Sequence, residues 1–256
     1  MKLSVVMPAR DEEGCIEQTV SDVATTLTAE HIPYEIVVVD DGSTDATPVR
    51  VRQVMERYPG VRLVTNTGRH GFGLAVKVGL AEATGDALAV MMADASDSPA
   101  DLVQYYRKLQ EGFDCVFGSR FLRGSRVIDY PAHKLAINRM ANFFIRMLFR
   151  LRYNDITNAF KCYRRNAYEG MQPLISPHFN LTVEMPLKAI VRGYSYAVVP
   201  ISWTNRKAGI SKLKIKEMGS RYLFIVLYLW LERHLSRGDY VRAHETVEEH
   251  VLERHA

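Results

Sequence analysis

The residues best suited to chemistry in this sequence are carboxylates and cations that stand at the ends of apolar runs. Asp40 and Asp41 open the segment Asp40-Asp41-Gly42-Ser43-Thr44-Asp45 directly after Ile36–Val39. Their oxygens can accept hydrogen bonds from the ribose and base of a nucleotide. The same residue types also build an Asx turn, with Ser43 or Thr44 capping the next helix. Asp94 lies in Met91-Met92-Ala93-Asp94-Ala95-Ser96-Asp97, at the end of another apolar run. Mg2+ and Mn2+ take oxygen ligands and are often held by one or two carboxylates plus substrate phosphates, which makes Asp94 a candidate metal ligand. The alternative is helix capping, a role open also to Ser96, Asp97 and Ser98 ahead of Pro99. Arg120, in Gly118-Ser119-Arg120, brings a cation to a third such position.

These groups meet only if the runs before them are neighbouring strands. Leu3–Met7, Ile36–Val39, Val61–Thr65, Ala87–Met92 and Cys115–Gly118 are mainly apolar runs, and helical patterns such as Thr44–Tyr58, Gly73–Ala83 and Ala100–Gln110 separate them. That alternation predicts an α/β fold, a mostly parallel sheet covered by helices on both faces. Ligands of such sheets bind beyond the carboxyl ends of the strands. Those ends carry 8–12, 40–45, 68–73, 93–97 and 118–120, so the polar and glycine-rich chemistry falls along one edge.

Beyond Arg120 the pattern changes. A long helix is expected over Pro131–Arg152, then a mixed segment to about Pro200, a loop Trp203–Lys212, and an apolar helix near Arg221–Leu235. The first helix combines Ile137, Met140, Phe144, Ile145, Met147 and Phe149 with a basic stripe of Arg139, Arg146 and Arg150. That suits a helix lying in lipid headgroups, and also an ordinary amphipathic core helix. Tyr222–Leu231 is ten consecutive apolar residues, half of what a spanning helix needs (~20), and Tyr222, Tyr228 and Trp230 fit an interfacial anchor. Residues 1–235 are therefore expected to form one domain, with a ligand-binding half over 1–120, an interface half over 121–235, and a charged tail over 236–256.

Composition narrows the classes. With 47% hydrophobic residues over 256, the chain can bury a full core, and its net charge of +4 is too mild to imply a nucleic-acid partner. Three widely spaced cysteines, Cys15, Cys115 and Cys162, show neither zinc nor redox spacing and read as free thiols of a reducing compartment.

The order and spacing of several short motifs resemble the family-two glycosyltransferases of GT-A fold, and within them the dolichyl- and polyprenyl-phosphate mannosyltransferases. They are Pro8-Ala-Arg-Asp-Glu12, Asp40-Asp-Gly-Ser-x-Asp45, Gly71-Phe-Gly-Leu-Ala75, Ala93-Asp94, Gly118-Ser-Arg120, Asp155-x-Thr-Asn-x-Phe-Lys161 and Arg206-x-x-Gly-x-Ser-Lys-Leu213. The resemblance implies a nucleotide-sugar donor at Pro8, Arg10, Glu12, Asp40, Asp41 and Asp94, with Mg2+ or Mn2+ held by Asp94 and Ser96. It implies a lipid-phosphate acceptor at Lys134, Asn138, Arg206, Ser211 and Lys212, and catalysis by Asp94, Arg120 and Arg206. The sugar it implies is a hexose, mannose from GDP-mannose foremost, transferred with inversion at the cytoplasmic face of a membrane. The metal motif of this family usually reads D-x-D, and here Met92 replaces the first aspartate.

Other functions stay open on sequence. The same fold serves other donors, such as UDP-glucose or a UDP-N-acetylhexosamine, and saccharide hydroxyl acceptors, for which Glu184 is the reserve base. Glu184 otherwise reads as a helix-surface residue. Met92 also leaves room for a non-catalytic nucleotide-binding scaffold. A dinucleotide-binding dehydrogenase is disfavoured, because the glycines at 71–73 lack the third member and follow the third strand rather than the first.

Overall fold

The computed structural model describes residues 1–205 and 215–242. The first half alternates as expected: β1 (Leu3–Ala9), α1 (Ile16–Ala29), β2 (Tyr34–Asp40), α2 (Thr47–Arg57), β3 (Val61–Thr65), α3 (Phe72–Glu82), β4 (Ala87–Val90), α4 (Pro99–Gln110) and β5 (Cys115–Ser119). It is followed by β6 (Arg126–Ile128), α5 (Ala132–Phe149), β7 (Lys161–Arg164), α6 (Arg165–Gly170), α7 (Leu181–Val191), β8 (Tyr196–Pro200), β9 (Ser202–Thr204) and α8 (Ile215–Leu235).

Seven strands form one sheet in the order β3-β2-β1-β4-β7-β5-β8, and β6 pairs with β9 in a small second sheet. All pairings in the large sheet are parallel except those of β7, which runs antiparallel between β4 and β5. The apolar runs of the sequence thus place β4 and β5 correctly as strands but do not reveal that β7, from beyond residue 120, separates them.

The strands are apolar on both faces because both faces are covered. Leu3, Val5 and Met7 pack with α1, α2 and α4, while Val6, Val37 and Val39 pack with α3, α5, α7 and α8. Cys15, Cys115 and Cys162 form no disulfide among the described residues.

Three helix ends differ from expectation. α2 begins at Thr47, and the N–H of Thr47 is received by Asp45 at 2.9 Å, so neither Ser43 nor Thr44 caps it. α4 starts with Pro99 at its first turn and no side chain caps it. α5 stops at Phe149 because Arg150 turns left-handed (φ 52°). The basic stripe is broken with it: Arg150 leaves the helix, and Arg139 lies 4.6 Å above the ring of Phe121.

α5 buries Asn142 together with Ile145 and Phe149 and exposes a second apolar face. Asn142 is 1% exposed, whereas Met140, Phe143, Phe144 and Met147 are between 49% and 68% exposed. α8 extends this face with exposed Leu223, Phe224, Leu227, Leu231 and Leu235. Tyr222 and Trp230 turn instead toward the protein, packing against the core. No helix among the described residues is long and apolar enough to cross a membrane.

Candidate active site

The carboxyl ends of β1, β2, β4 and β5 open into a cleft of about 650 Å³. Its lining includes Pro8, Arg10, Glu12, Asp41, Asp94, Ser96, Arg120, Lys134 and Asn138, so nine of the positions singled out by sequence share one cavity. Asp40 is not in the lining; its carboxylate accepts the N–H of Ser43 at 3.0 Å and stabilises the turn. Arg206, Ser211 and Lys212 lie outside the described residues, beyond Asn205, which lines the cleft.

At the strand ends, short polar side chains are fixed by backbone amides. Asp41 is 5% exposed; its Oδ2 accepts Gly71 N–H at 2.8 Å and its Oδ1 accepts Asn66 Nδ2 at 2.7 Å, with His70 Nδ1 at 3.3 Å. Asp41 therefore ties the β2 turn to the glycine loop that opens α3. That loop requires glycine: a Cβ at Gly71 (φ +154°) would stand 2.6 Å from the carbonyl of Pro177, and one at Gly73 2.6 Å from that of Ser176. The loop 176–179 is thereby drawn over the cleft, where Phe179 stacks on Phe72 with centroids 4.3 Å apart. Asp11 is not in the lining of the cleft, although Arg10 and Glu12 beside it are. It adopts φ 52°, a region Asp tolerates well, and its Oδ1 accepts Thr44 N–H at 2.8 Å.

Asp94 follows the end of β4 and is 7% exposed, with its Oδ1 accepting Ser96 N–H at 3.1 Å. Ala95 turns left-handed at φ 58°, which folds Asp97 back so that its Oδ2 accepts Met92 N–H at 3.1 Å. Asp97 is 6% exposed and lines the cleft beside Asp94. Burial, and then the charge of Asp94, push its carboxyl up to about 7. The sequence offers Asp97 only as a helix cap, and nothing in S-D-S-P signals the fold-back. Among the described residues, no group of three or more His, Cys, Asp or Glu forms a metal site. The available set, two buried carboxylates and the Ser96 hydroxyl at an open cleft, fits a hard divalent cation that draws its other ligands from substrate phosphates and water.

Arg120 is held differently from the expected open cation. Its Nε and Nη2 donate to the two oxygens of Asp155 at 2.8 and 2.7 Å, its backbone N–H adds a third bond at 2.9 Å, and the pair is buried. Burial alone would weaken its hold on the proton, and Asp155 more than reverses that. The rings of Phe121, Tyr130 and Trp203 surround the guanidinium at 5.4 to 5.6 Å. Arg120 and Asp155 form a neutral clamp joining β5 to the segment after α5. The residual donor, Nη1, is 3.5 Å from the Tyr130 hydroxyl.

The wall of the cleft opposite these turns is built on α5. Asn138 donates to Thr157 Oγ1 at 2.8 Å, and Asn142 donates to the same oxygen at 3.0 Å. Lys161, 1% exposed, braces the floor beneath with bonds to the carbonyls of Ile156, Asn158 and Thr182. Its burial lowers its ammonium to about 7, against the pull of Asp155. Glu184 is neither a surface residue nor in the cleft lining: it is fully buried, accepts Ile175 and Ser176 N–H at 2.8 and 2.7 Å, and pairs with Lys188. His70, Tyr130, His178, Trp203 and Arg221 also line the cleft and were not singled out by sequence.

Comparison with known proteins follows the same outline. The model of glycosyl transferase family 2 matches residues 4–171. A dolichol-phosphate mannosyltransferase of Pyrococcus furiosus is 32% identical over 220 residues, which is 84% of this chain and 60% of that protein. A polyprenol monophosphomannose synthase of Mycolicibacterium smegmatis is 28% identical over 215 residues, 82% of this chain and 80% of that one. The chain thus spans three-fifths of the length of the Pyrococcus relative. Among solved structures, a glucosyl-3-phosphoglycerate synthase of Mycobacterium tuberculosis, in complex with Mn2+, uridine diphosphate and glucosyl-3-phosphoglycerate, superposes with a TM-score of 0.67 at 21% identity. The superposition covers 91% of this chain and 79% of that one, and it shows a shared GT-A fold.

Proposed function

The chain belongs to glycosyl transferase family 2 and is a glycosyltransferase, and from that premise we propose that it transfers a hexose, mannose from GDP-mannose, to a polyprenyl phosphate at the cytoplasmic face of a membrane, inverting the anomeric centre. The observation that carries this is the continuity of α5. Lys134 and Asn138 line the cleft, and the same helix then exposes Met140, Phe143, Phe144 and Met147 to the outside. A phosphate in the cleft and a hydrocarbon along the outer face call for that arrangement. An exposed apolar face of this kind on a helix whose buried side carries asparagines marks a lipid or protein contact. Both curated relatives named above are mannosyltransferases or mannose synthases of isoprenoid phosphates. The three cysteines, none in a disulfide among the described residues, suit a reducing side of the membrane.

The mechanism needs little proton transfer. A phosphate is already an anionic nucleophile at neutral pH, and the reserve base Glu184 is locked to backbone amides away from the cleft. Catalysis then consists mainly of positioning and charge stabilisation. Pro8, Glu12, Asp41 and Gly71 form the nucleoside end of the cleft, and Lys134 with Asn138 the acceptor end. Mg2+ or Mn2+, held at Asp94 with Ser96 beside it, would neutralise the leaving nucleoside diphosphate. Arg120, neutralised by Asp155, shapes the sugar site with Tyr130 and Trp203 rather than lending it a full charge. Arg206, Ser211 and Lys212 complete the acceptor-phosphate site in this proposal, on the sequence motif alone.

The test is a panel of GDP-mannose, UDP-glucose and a UDP-N-acetylhexosamine against a short polyprenyl phosphate, with Mg2+, Mn2+ or chelator. Metal-dependent mannolipid from GDP-mannose is the expected product. Transfer to a saccharide hydroxyl, with none to the lipid phosphate, would overturn the acceptor assignment. Absence of transfer from every donor would leave the scaffold alternative.

A further inference from the structure

The geometry points to Asp97 as the second metal-directed carboxylate of the donor site, in the place that Met92 leaves without one. This deepens the metal-dependent assignment above and rests on it. The two carboxylates would come from positions 94 and 97, across a turn, instead of from two positions in one extended segment.

Three observations support the substitution. The turn brings the replacement to the gap: β4 ends at Val90, Ala95 adopts φ 58°, and Asp97 Oδ2 accepts the N–H of Met92, so the Asp97 carboxylate rests against the residue that lacks one. The position is held from outside as well. Thr204 donates its N–H to the carbonyl of Ser96 at 3.0 Å, and Asp97 bridges Trp203 of β9. This is the fixed outer support that metal carboxylates need.

The second oxygen supplies the third observation. Asp97 is 6% exposed and lines the cleft, yet among the described residues its Oδ1 accepts no hydrogen bond. Asp94, 7% exposed, lines the same cavity. The two carboxylates share one cavity and repel each other, and the second oxygen of Asp97 is left with acceptor capacity toward the cleft. Arg120 offsets only part of that charge, because Asp155 engages it through both side-chain bonds. A divalent cation would use the remaining acceptor capacity of Asp97, and Asp94, Asp97, diphosphate oxygens and water are a sufficient ligand set for Mg2+ or Mn2+. If Asp97 were only a turn residue, an amide would serve equally, since its carbonyl oxygen accepts the Met92 N–H as well as a carboxylate does.

Isosteric replacement separates those roles. Mn2+ binding to the full chain would be followed by electron paramagnetic resonance with GDP and, in parallel, with UDP, each compared with nucleotide alone. Asp97→Asn is expected to weaken Mn2+ binding in the ternary complex about tenfold or more, while lowering neither the thermal midpoint nor the metal-free nucleotide affinity. Met92→Asp in the Asp97→Asn background is expected to restore most of the affinity. Asp97→Ser, whose hydroxyl can also accept the Met92 N–H, provides the same test if the amide variant does not fold. Mn2+ affinity in Asp97→Asn equal to that of the unaltered chain, with Asp94→Asn weakened, would overturn this inference and leave the metal-dependent site standing. An unaltered chain that adds nothing to the nucleotide's own Mn2+ binding would remove both.

Discussion

The two walls of the cleft treat polar groups in opposite ways. On the donor wall, short carboxylates sit at strand ends and are fixed by backbone amides: Asp41 by Gly71, Asp94 by Ser96, Asp97 by Met92. On the acceptor wall, α5 keeps Asn138 and Asn142 inward on Thr157 and shows Met140, Phe143, Phe144 and Met147 to the outside. One wall is built to hold charge still, and the other to let a polar head enter beneath an apolar face. In the proposed reaction, a water-soluble donor and a lipid acceptor would use that asymmetry.

The joint between the walls is the Arg120–Asp155 pair, and breaking it should give the largest effect. Removing one partner from a buried pair leaves an uncompensated charge, at about 3–5 kcal/mol. Asp155→Asn is therefore expected to lower the thermal midpoint by roughly 10 °C and to abolish transfer. Replacing both partners with apolar residues, Arg120→Met with Asp155→Leu, should recover most of the stability and little of the activity. Recovery of both would show that the clamp contributes to folding alone. Asp94→Ala comes next: turnover should fall about 10²–10³-fold while the unfolding midpoint stays within a few degrees, because the residue faces the cleft. A variant that retains near-normal turnover would remove the metal from the donor wall.

The outer face of α5 tests the other side of the contrast. Met140→Glu and Met147→Glu should each lower binding to vesicles of neutral and anionic lipid about tenfold, since each removes roughly 1.5 kcal/mol or more of apolar burial. Transfer to a short, water-soluble isoprenyl phosphate should be unchanged. Vesicle binding by both variants equal to that of the unaltered chain would assign the face to some other partner.

The donor wall was far more legible in the sequence than the acceptor wall, for a physical reason. Parallel strands covered on both faces must be apolar runs, so β1 to β5 are visible, and a carboxylate at the end of such a run has only the cleft edge to occupy. β7 is hidden because its four residues, Lys161 to Arg164, carry a lysine that is buried only through the carbonyls of Ile156, Asn158 and Thr182. The periodicity of α5 identifies an amphipathic helix but not which face is turned inward; Asn142 and Thr157 decide that, and their meeting is tertiary. Asp97 escaped because its role depends on the left-handed turn at Ala95, which local composition does not announce.

The smallest effect concerns a carboxylate at the opposite end of the sheet, where no ligand is expected. Glu35 opens β2 and is 5% exposed; it accepts Ser4 Oγ at 2.6 Å, Thr84 N–H at 2.6 Å and Arg62 Nη2 at 3.1 Å, with Lys2 Nζ at 3.5 Å. Burial by itself would raise its carboxyl, but the bonds from Ser4, Thr84 and Arg62 outweigh it and bring the value from 4.5 down to about 2. A depressed carboxyl contributes stability above its unfolded value and loses it as pH falls toward the folded one. Glu35→Gln is therefore expected to be less stable than the unaltered chain by on the order of 1 kcal/mol at neutral pH, after discounting for solvent near Lys2 and Arg62. The gap should shrink below pH 4.5 and close near pH 2, as followed by denaturant unfolding at a series of pH values. Turnover per folded molecule should not change. Here a carboxylate saturated by protein donors serves only stability, whereas those on the donor wall keep acceptor capacity for a ligand. A turnover loss in Glu35→Gln beyond the loss of folded protein would mean that the two ends of the sheet are coupled, and that the donor wall is not set by its own turns.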